Sequence, residues 1–378
     1  MRYAVTRLRL ADFRNYARLA LDVDERTVVL TGDNGMGKTN LLEAISYLAP
    51  GRGLRGAKLA EVTRIGGAGR GWSVAATVTG PEGARAIGTG LQPRPGQDGG
   101  GGDRRVVHID RQPAGGPAAL GDVARVIWLT PQMDRIFGEG PSPRRRFLDR
   151  LVVALNPGHG REVSAYERAM RERNRLLAEG GADPAWLGAL EARMAAHGVA
   201  VAAARLDGIH RLQAGMEVTV SAFPLAVLDV SGVLEDVLKS RPAVEAEDWF
   251  RDRLAAGRHR DAAAGRAVEG PHTSDLRVHH ATTGMAAELC STGEQKALLI
   301  GITLASARLV AAESAAPILL LDEVAAHLDE RRRAALFQEI EGLGAQAWLT
   351  GTDTAVFAAL GGRVQFYSVA DGLLHEAA

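Results

Sequence analysis

Apolar residues have one spacing near the two ends of this chain and another in its middle. Near both ends, short and mainly apolar runs predict buried strands. These runs are 27–30, 123–129, 318–321 and 347–349. Apolar residues spaced three or four apart predict helices at 41–48, 294–310 and 331–340. Strands that alternate with helices indicate an α/β fold.

The middle of the chain has the spacing of long helices. Apolar residues recur at helical intervals in 147–155, 163–178, 184–212 and 245–256. Asp183 and Pro184 form a favourable helix start, because aspartate caps the first turn and proline fits inside it. The apolar stripes could form a coiled-coil seam, but they continue for too few heptads. Helices that pack on one another as a lid are therefore favoured.

Alternation of apolar and polar residues predicts further strands with one buried face. They are expected around 5–10, 72–79, 104–110, 217–220, 225–230 and 276–280. The glycine-rich run 93–102 is predicted to be a flexible connector. Because the α/β pattern lies on both sides of the helical middle, we predict one discontinuous core formed by 1–140 and 270–378. The insert at 141–269 is then a mainly helical lid domain.

Composition narrows the class of protein. Of the 378 residues, 46% are apolar and 24% are charged, which is ordinary for a soluble globular protein. The formal net charge is zero, so any nucleic-acid surface must be a local patch. The single cysteine, Cys290, excludes an intrachain disulfide and fits a reducing compartment. Neither a secretory signal nor a membrane-spanning run is visible, so we expect a cytoplasmic protein.

The segment 32–39, GDNGMGKT, matches the phosphate-binding pattern G-x-x-x-x-G-K-[ST] between a predicted strand and a predicted helix. Glycines let backbone N–H groups approach phosphate oxygens, and the N-terminus of the helix favours an anion. Lys38 can reach the β and γ phosphates, and the Thr39 hydroxyl can bind Mg²⁺. The chain is therefore predicted to bind a nucleoside triphosphate. The residues expected at the nucleotide are Gly32, Asn34, Gly35, Gly37, Lys38, Thr39 and Asn40.

An acidic pair follows the buried run 318–321. Asp322 and Glu323 would emerge at the exposed end of that strand. Asp322 can hold Mg²⁺ opposite Thr39, and Glu323 can polarise an attacking water. The alternative is an ordinary strand that ends in an acidic turn, and the phosphate loop upstream disfavours it. Lys38 and Glu323 are the predicted catalytic residues.

The run 290–295, CSTGEQ, leads directly into a predicted helix. Ser291 would cap that helix, and capping alone would explain the run. Together with the phosphate loop and the acidic pair, however, it resembles the ATP-binding-cassette superfamily, whose signature loop is approximated by Ser291-Thr-Gly293-Glu. In that superfamily two subunits enclose ATP, and the signature of one subunit faces the phosphate loop of the other.

This resemblance implies roles for further positions. Gln132 lies where the superfamily has the Q-loop that contacts the nucleotide and Mg²⁺. Asp329 matches the residue at the joint between subunits. Where a switch histidine is usual, this chain has Thr350-Gly-Thr-Asp353, so the sequence assigns no sensor for the γ-phosphate.

Other runs narrow the resemblance to the SMC-like branch of the superfamily. The opening run 8–16, LRLADFRNY, is similar to the start of such proteins. Further runs resemble the RecF family of bacterial recombination mediators, span nearly the whole chain and occur in the order of that family. They are GKTNLLEAI at 37–45, PSPRRRFLD at 141–149, GPHTSDL at 270–276 and LDEVAAHLDER at 321–331.

The resemblance implies an ATP-dependent DNA-binding protein that dimerises on ATP and hydrolyses it slowly, stimulated by DNA, with ATP and Mg²⁺ as cofactors. It also implies a role in recombinational repair and at replication gaps, where the protein helps to load RecA together with RecO and RecR. The alternatives are a non-hydrolysing ATP-binding scaffold and the ATPase subunit of a transporter. Glu323 disfavours the scaffold, since a scaffold needs no water-activating carboxylate. The 253 positions from Lys38 to Ser291 are too many for a transporter cassette.

A concentration of arginines independently indicates a DNA surface. The segment 141–175 contains nine arginines and four acidic residues, an excess of five positive charges. Solvated helix faces also explain such runs, and the sequence leaves both interpretations open. Few aromatic residues are interleaved, which favours contact with the backbone of duplex DNA. The resemblance implies duplex near single-strand/double-strand junctions. The candidates are Arg144, Arg145, Arg146, Arg171 and Arg173.

The histidines and the cysteine are interpreted as structural residues. The histidines lack the spacing of zinc ligands, so we predict no structural zinc. His272 could be a turn residue with a structural hydrogen bond or could act at the DNA or nucleotide, and the first interpretation is favoured. Cys290 is predicted to be a small core residue.

Overall fold

The computed structural model describes residues 1–67, 71–92, 104–181, 183–218, 221–370 and 372–376. The connector predicted at 93–102 lies outside these residues. The chain forms two units, one of Met1–Asp134 with Thr303–Ala378 and the other of Arg135–Ile302. The first unit is thus made from both ends of the chain.

Strands and helices are numbered in chain order. The strands are β1 (Ala4–Phe13), β2 (Tyr16–Asp22), β3 (Val28–Thr31), β4 (Ser73–Gly80), β5 (Gly83–Gln92), β6 (Arg104–Ile109), β7 (Gln112–Pro113), β8 (Val126–Leu129), β9 (Ala226–Ser231), β10 (Asp275–His280), β11 (Ile318–Leu321), β12 (Ala347–Thr350), β13 (Gln365–Ala370) and β14 (Leu373–Glu376). The helices are α1 (Lys38–Ser46), α2 (Pro141–Leu155), α3 (His159–Glu179), α4 (Pro184–Glu217), α5 (Val233–Leu238), α6 (Ala243–Ala256), α7 (Arg258–Ala264), α8 (Thr292–Glu313) and α9 (Glu330–Leu343).

One sheet of the first unit contains the strands that the apolar runs predict. Its order is β14-β13-β3-β12-β11-β8, and the strands from β13 to β8 run parallel. Every residue of β3, β8, β11 and β12 is buried, as expected of parallel strands covered on both faces. The predicted α/β core is confirmed.

The other sheet of this unit is antiparallel, in the order β2-β1-β4-β5-β6-β7. β1, β4 and β6 match predicted strands, whereas the sequence pattern does not predict β2 or β5. Only two of the seven residues of β2 are buried, so the strand shows no regular alternation. β5 contains three glycines, which weaken the strand signal because glycine brings no side chain to pack.

The second unit contains the predicted long helices. α3, α4 and α6 pack around an apolar cluster that includes Tyr166, Met194 and Phe250. Within the described residues, β10 pairs with β9 and with neither sheet of the first unit. Residues 270–302 therefore group with the helical unit, whereas the sequence assigned them to the core. The strand expected at 217–220 is also corrected in part, because Glu217 ends α4, while 219–220 lie outside the described residues.

α8 is the one helix in the described part of the chain that is long and apolar enough to cross a membrane. However, 72% of its apolar window is buried inside the protein, which is the burial of a core helix.

Arg173 lies in the interior of the helical unit, where its side chain is fully buried. Its Nε donates to Glu191 at 3.0 Å, its Nη1 donates to Asp261 at 2.6 Å, and its Nη2 donates to the Leu254 carbonyl at 2.7 Å. Glu191 also accepts two hydrogen bonds from Arg258. The prediction that Arg173 contacts DNA is therefore wrong, because the guanidinium is enclosed and its donors are used inside the protein.

We expect Arg173→Met to destabilise the protein by about 3–5 kcal/mol, because it leaves buried carboxylates without their partner. Arg171→Met is the matched control on the same helix. The Arg171 side chain is 63% exposed and pairs with Glu167 four residues away, so its loss should cost less than about 0.5 kcal/mol. Urea unfolding of both variants measures the difference. Equal losses would contradict a structural role for Arg173.

Candidate nucleotide-binding site

The site forms where four parallel strands end. The carboxyl end of β3 leads into Gly32, that of β8 into Thr130, that of β11 into Asp322, and β12 ends at Thr350. Because the strands run parallel, these ends share one edge of the sheet, which is where ligands bind in open α/β folds. Residues from distant parts of the chain are thereby brought together.

The phosphate loop depends on glycine at particular positions. Gly32, Gly35 and Gly37 have φ angles of +136°, +85° and +114°, which residues other than glycine rarely adopt. A Cβ on Gly37 would lie 2.5 Å from Nδ2 of Asn15 and 2.9 Å from the Tyr16 hydroxyl. A Cβ on Gly35 would meet no atom within 4 Å. The loop is therefore tightly enclosed at Gly37 and open at Gly35.

Lys38 folds back over the loop. Its Nζ donates to the carbonyls of Gly32 at 2.5 Å and Asp33 at 2.9 Å, and the residue is only 4% exposed. Burial lowers the pKa of Lys38, while the nearby Glu323 and Asp322 carboxylates oppose that change. The ammonium is thus held at the loop, close to the acidic pair.

Thr39 and Asp322 are in direct contact. Oγ1 of Thr39 donates to Oδ1 and Oδ2 of Asp322 at 2.9 and 3.0 Å. Burial raises the pKa of Asp322, and hydrogen bonds from Thr350 and Thr39 oppose that rise. A hydroxyl beside a carboxylate gives two oxygen donors of the kind that Mg²⁺ prefers. The residues present therefore fit Mg²⁺.

Glu323 follows Asp322 in an unusual backbone conformation. Its φ angle is +53°, in the left-handed region that non-glycine residues seldom occupy. Its backbone N–H donates to Oγ1 of Thr350 at 2.8 Å. Its side chain is partly exposed, so the carboxylate next to the metal-binding candidate is accessible.

A hairpin from the antiparallel sheet supports the loop from behind. Asn15 donates to the Met36 carbonyl at 3.1 Å, and the Tyr16 hydroxyl donates to the Gly37 carbonyl at 3.0 Å. Asn40, predicted to bind the nucleotide, donates to Oδ1 of Asn15 at 2.8 Å. Its side-chain amide is therefore part of this support in the present structure.

A buried carboxylate anchors the same hairpin to α1. Glu43 has no exposed surface and accepts hydrogen bonds from Arg14 at 2.7 and 2.9 Å and from Arg55 at 2.6 Å. The sequence pattern assigns Glu43 no role. Arg14 lies in the run 8–16 and Glu43 in the run 37–45, and both runs carry the resemblance without identifying a contact between them.

The other nucleotide candidates have exposed side chains or backbones. Asn34 and Gly35 lie at the open tip of the phosphate loop, and Gln132 is exposed on the 3-10 turn Pro131–Arg135. Asp329 caps α9, where its carboxylate accepts the N–H of Arg332 at 2.8 Å. These positions are accessible, and their roles stay predictions.

Ser291 has the geometry of a helix cap. Its Oγ accepts the backbone N–H of Glu294 at 3.3 Å, and its own backbone N–H donates to Oε2 of Glu294 at 2.9 Å. Ser291 and Gly293 are both exposed, and a Cβ on Gly293 would meet no atom within 4 Å. Capping does not exclude a signature role, because the outer side of the turn is accessible.

Two of the arginines proposed for DNA contact are used inside the helical unit. Arg144 forms a two-pronged ion pair with Asp275 at 2.7 and 2.8 Å, and Arg145 donates to the Ser274 carbonyl at 2.7 Å. The donor nitrogens of Arg144 are all engaged inside this unit, so its predicted DNA role is corrected to a structural one. Arg145 is partly exposed, and its DNA role stays a prediction. Arg146 and Arg171 are exposed, as a DNA contact requires.

His272 belongs to the same segment. The Tyr166 hydroxyl lies 2.7 Å from its Nδ1, and its Nε2 lies 3.0 Å from the Ala267 carbonyl. Since a carbonyl only accepts, Nε2 carries the proton and Nδ1 accepts from tyrosine. Burial lowers the pKa of His272. The predicted turn residue with a structural hydrogen bond is confirmed.

No protein-family model matches the chain, but known proteins match nearly its whole length. The DNA replication and repair protein RecF of Agrobacterium fabrum is 54% identical over 376 residues, covering 98% of this chain and 97% of that protein. The protein of the same name from Rhizobium johnstonii is 53% identical over 376 residues, covering 99% of both chains.

Solved structures agree on the fold. Two structures of the recombination mediator protein RecF in the RecFOR pathway, RecF-ATPrS and RecF-ATP, match with TM-scores of 0.82 and 0.81 at 21% and 20% identity. They cover 100% and 99% of this chain and 98% and 99% of theirs. The Smc head domain of Pyrococcus furiosus matches with a TM-score of 0.53 at 14% identity, covering 99% of this chain and 96% of that one.

We expect Gly37→Ala to weaken binding of ATPγS at least about tenfold, because a new Cβ would have to displace Asn15 and Tyr16 from the loop. Gly35→Ala is the matched control, since it has the same left-handed strain but open space around it. Its effect should be smaller than that of Gly37→Ala, because its Cβ would add only the backbone strain and would displace no neighbouring atom. Calorimetric titration measures both affinities. Indistinguishable losses would contradict the support of the loop by the hairpin.

Proposed function

This chain belongs to the RecF family of DNA replication and repair proteins, and we propose that it is an ATP-dependent DNA-binding protein that dimerises on ATP and hydrolyses it slowly. In this proposal it acts in recombinational repair and at replication gaps, where it helps to load RecA together with RecO and RecR. The observation that carries the proposal is the contact of Thr39 with Asp322 beside the phosphate loop.

Binding of the triphosphate would use the loop and Lys38. The loop amides and the start of α1 would surround the phosphates, and Nζ of Lys38 would exchange its two carbonyl partners for phosphate oxygens. Thr39 and Asp322 would hold Mg²⁺, with Gln132 as a further oxygen donor from its exposed turn. Mg²⁺ would neutralise charge on the β and γ phosphates.

Hydrolysis would rest on Glu323. Its carboxylate follows the metal-binding Asp322 and is accessible, so it can accept a proton from an attacking water. Such a residue is unnecessary in a protein that uses ATP only to hold its parts together. Slow turnover stimulated by DNA would let hydrolysis time the release of DNA.

Dimerisation would complete the site. Ser291 and Gly293 would approach the γ-phosphate bound by the other subunit, and Asp329 would lie at the joint. The exposure of all three residues supports this assignment. The signature turn would thus keep its capping hydrogen bonds and present its outer side to the nucleotide.

DNA contact would use the exposed arginines of α2 and α3. Arg168, Arg171 and Arg175 are all exposed and are spaced three and four residues apart, which places them on one face of α3. Arg146 is exposed on α2. Such a surface contacts phosphates regardless of sequence, as recognition of duplex near a junction requires.

Glu323→Gln should lower ATP turnover by about 10²–10⁴-fold without weakening ATP binding, because it removes the proton acceptor and keeps the size of the side chain. Lys38→Met is the control with the opposite expected result, because it should weaken ATP binding itself. Phosphate release gives turnover, and equilibrium titration with ATPγS gives affinity. Wild-type turnover in Glu323→Gln would favour a scaffold that does not depend on this carboxylate.

Replacing Arg168, Arg171 and Arg175 together by alanine should weaken binding to duplexes of unrelated sequence alike. The slope of log affinity against log salt should fall by roughly one for each phosphate that the variant no longer neutralises. Glu167→Gln provides a control of opposite sign, since it removes the acidic partner of Arg171 and should strengthen binding. Fluorescence anisotropy at several salt concentrations measures both. An unchanged affinity and salt slope in the triple variant would place the DNA elsewhere.

A further inference from the structure

Thr350 lies between the two acidic residues of the site and contacts both. Its Oγ1 donates to Oδ1 of Asp322 at 2.8 Å and accepts the backbone N–H of Glu323 at 2.8 Å. A hydroxyl has one proton and two lone pairs, so one group can make both bonds at once. The residue is 1% exposed, which keeps water from replacing either contact.

The hydrogen bond with Glu323 stabilises a strained backbone conformation of that residue. A φ angle of +53° is unfavourable for a glutamate, and such conformations persist only where the surroundings determine them. The hydrogen bond from the Glu323 N–H to Thr350 is one such determinant. Without it, the direction in which the Glu323 carboxylate leaves the backbone would no longer be set.

The contact with Asp322 has a parallel effect on the carboxylate. Thr39 donates to both oxygens of Asp322, and Thr350 donates to Oδ1 from the neighbouring strand. Hydrogen bonds from two hydroxyls thus restrict the orientation of the carboxylate. Since Thr39 would turn to Mg²⁺ when the metal binds, Thr350 is the donor that would continue to hold Asp322.

The described contacts of the residues that follow Thr350 do not include the acidic pair. A Cβ on Gly351 would lie 2.6 Å from the buried ring of Phe357, so a side chain there would require that ring to shift. Asp353 accepts the N–H of Ala355 at 2.8 Å and caps the next 3-10 turn. Within the segment 350–353, the described contacts to the acidic pair come from Thr350.

We propose that Thr350 is a positioning residue for ATP hydrolysis, which orients the Asp322 carboxylate for Mg²⁺ and sets the backbone of Glu323 for the attacking water. This inference rests on the proposed ATPase activity and names the group that couples its two carboxylates. Thr350 does not touch the nucleotide in this account. It acts through Asp322 and Glu323.

The test compares Thr350→Val, which keeps the shape and removes the hydroxyl, with Thr350→Ser, which keeps the hydroxyl. Thr89→Val is the matched control, because Thr89 is also buried and hydrogen-bonded, to Arg105 and the Val106 carbonyl in the antiparallel sheet. Four quantities are measured: turnover, the Mg²⁺ concentration that half-saturates ATPγS binding, hydrogen exchange of the Glu323 amide, and the melting temperature. Thr350→Ala replaces the valine variant if the latter does not fold.

Thr350→Val should lower kcat by about 10–100-fold and raise the half-saturating Mg²⁺ concentration by a similar factor, the usual effect of losing a residue that supports a metal ligand. The Glu323 amide should exchange faster. Thr350→Ser should restore all three quantities. Thr89→Val should lower the melting temperature without changing kcat or the Mg²⁺ requirement.

Two results would overturn the proposal. One is a valine variant with wild-type Mg²⁺ requirement and wild-type Glu323 exchange, and the other is a serine variant as impaired as valine. If the wild-type protein binds ATPγS but shows no turnover, the proposed ATPase activity fails. The Mg²⁺ requirement and the exchange of Glu323 then still decide whether Thr350 positions the acidic pair.

Discussion

The site exists only because Thr39 and Asp322, 283 positions apart, end side by side. β3 and β11 are separated in their sheet by β12 alone, so the contact bridges one intervening strand end. In a parallel sheet the order of strands decides which residues meet, and the length of chain between them does not. The entire helical unit can therefore lie between the two halves of the site in sequence without separating them in space.

This arrangement buries the charged groups of Asp322 and Lys38. Hydrogen bonds from the protein replace the water that each group loses. Asp322 is 4% exposed, and a buried carboxylate is unfavourable unless polar groups satisfy it. Thr39, from the start of α1, and Thr350, from the end of β12, supply those groups. Lys38 likewise rests on two loop carbonyls. The charged groups of the site are thus satisfied by the chain itself.

Sequence alone predicts the parts of this site that depend on local pattern. The apolar run 318–321 matches β11 residue for residue, and the phosphate loop joins β3 to α1 as its glycine spacing indicates. Three-dimensional neighbours are harder to predict. Arg171 and Arg173 are two positions apart on α3, yet one is exposed and the other enclosed by Glu191 and Asp261. An arginine count carries no information on such partners, which come from other helices.

The residues whose roles the sequence pattern does not reveal share one property. Each acts through another residue that it contacts. Glu43 anchors the hairpin behind the loop, and Thr350 connects Asp322 to Glu323. Threonine and glutamate in these places have no distinctive spacing, so only the folded contacts reveal them. Ser291 shows the reverse case, because its pattern fits both a helix cap and a signature residue and the capping hydrogen bonds are compatible with either.

We propose that the signature turn of one subunit completes the nucleotide site of another. Sedimentation velocity of the wild-type protein and of Ser291→Arg, each with and without ATPγS and Mg²⁺, measures whether this is so. We expect nucleotide to convert wild-type monomers to dimers, whereas Ser291→Arg should bind nucleotide as a monomer with similar affinity and stay monomeric. Nucleotide-dependent dimers of Ser291→Arg, or loss of nucleotide binding by its monomer, would contradict the claim.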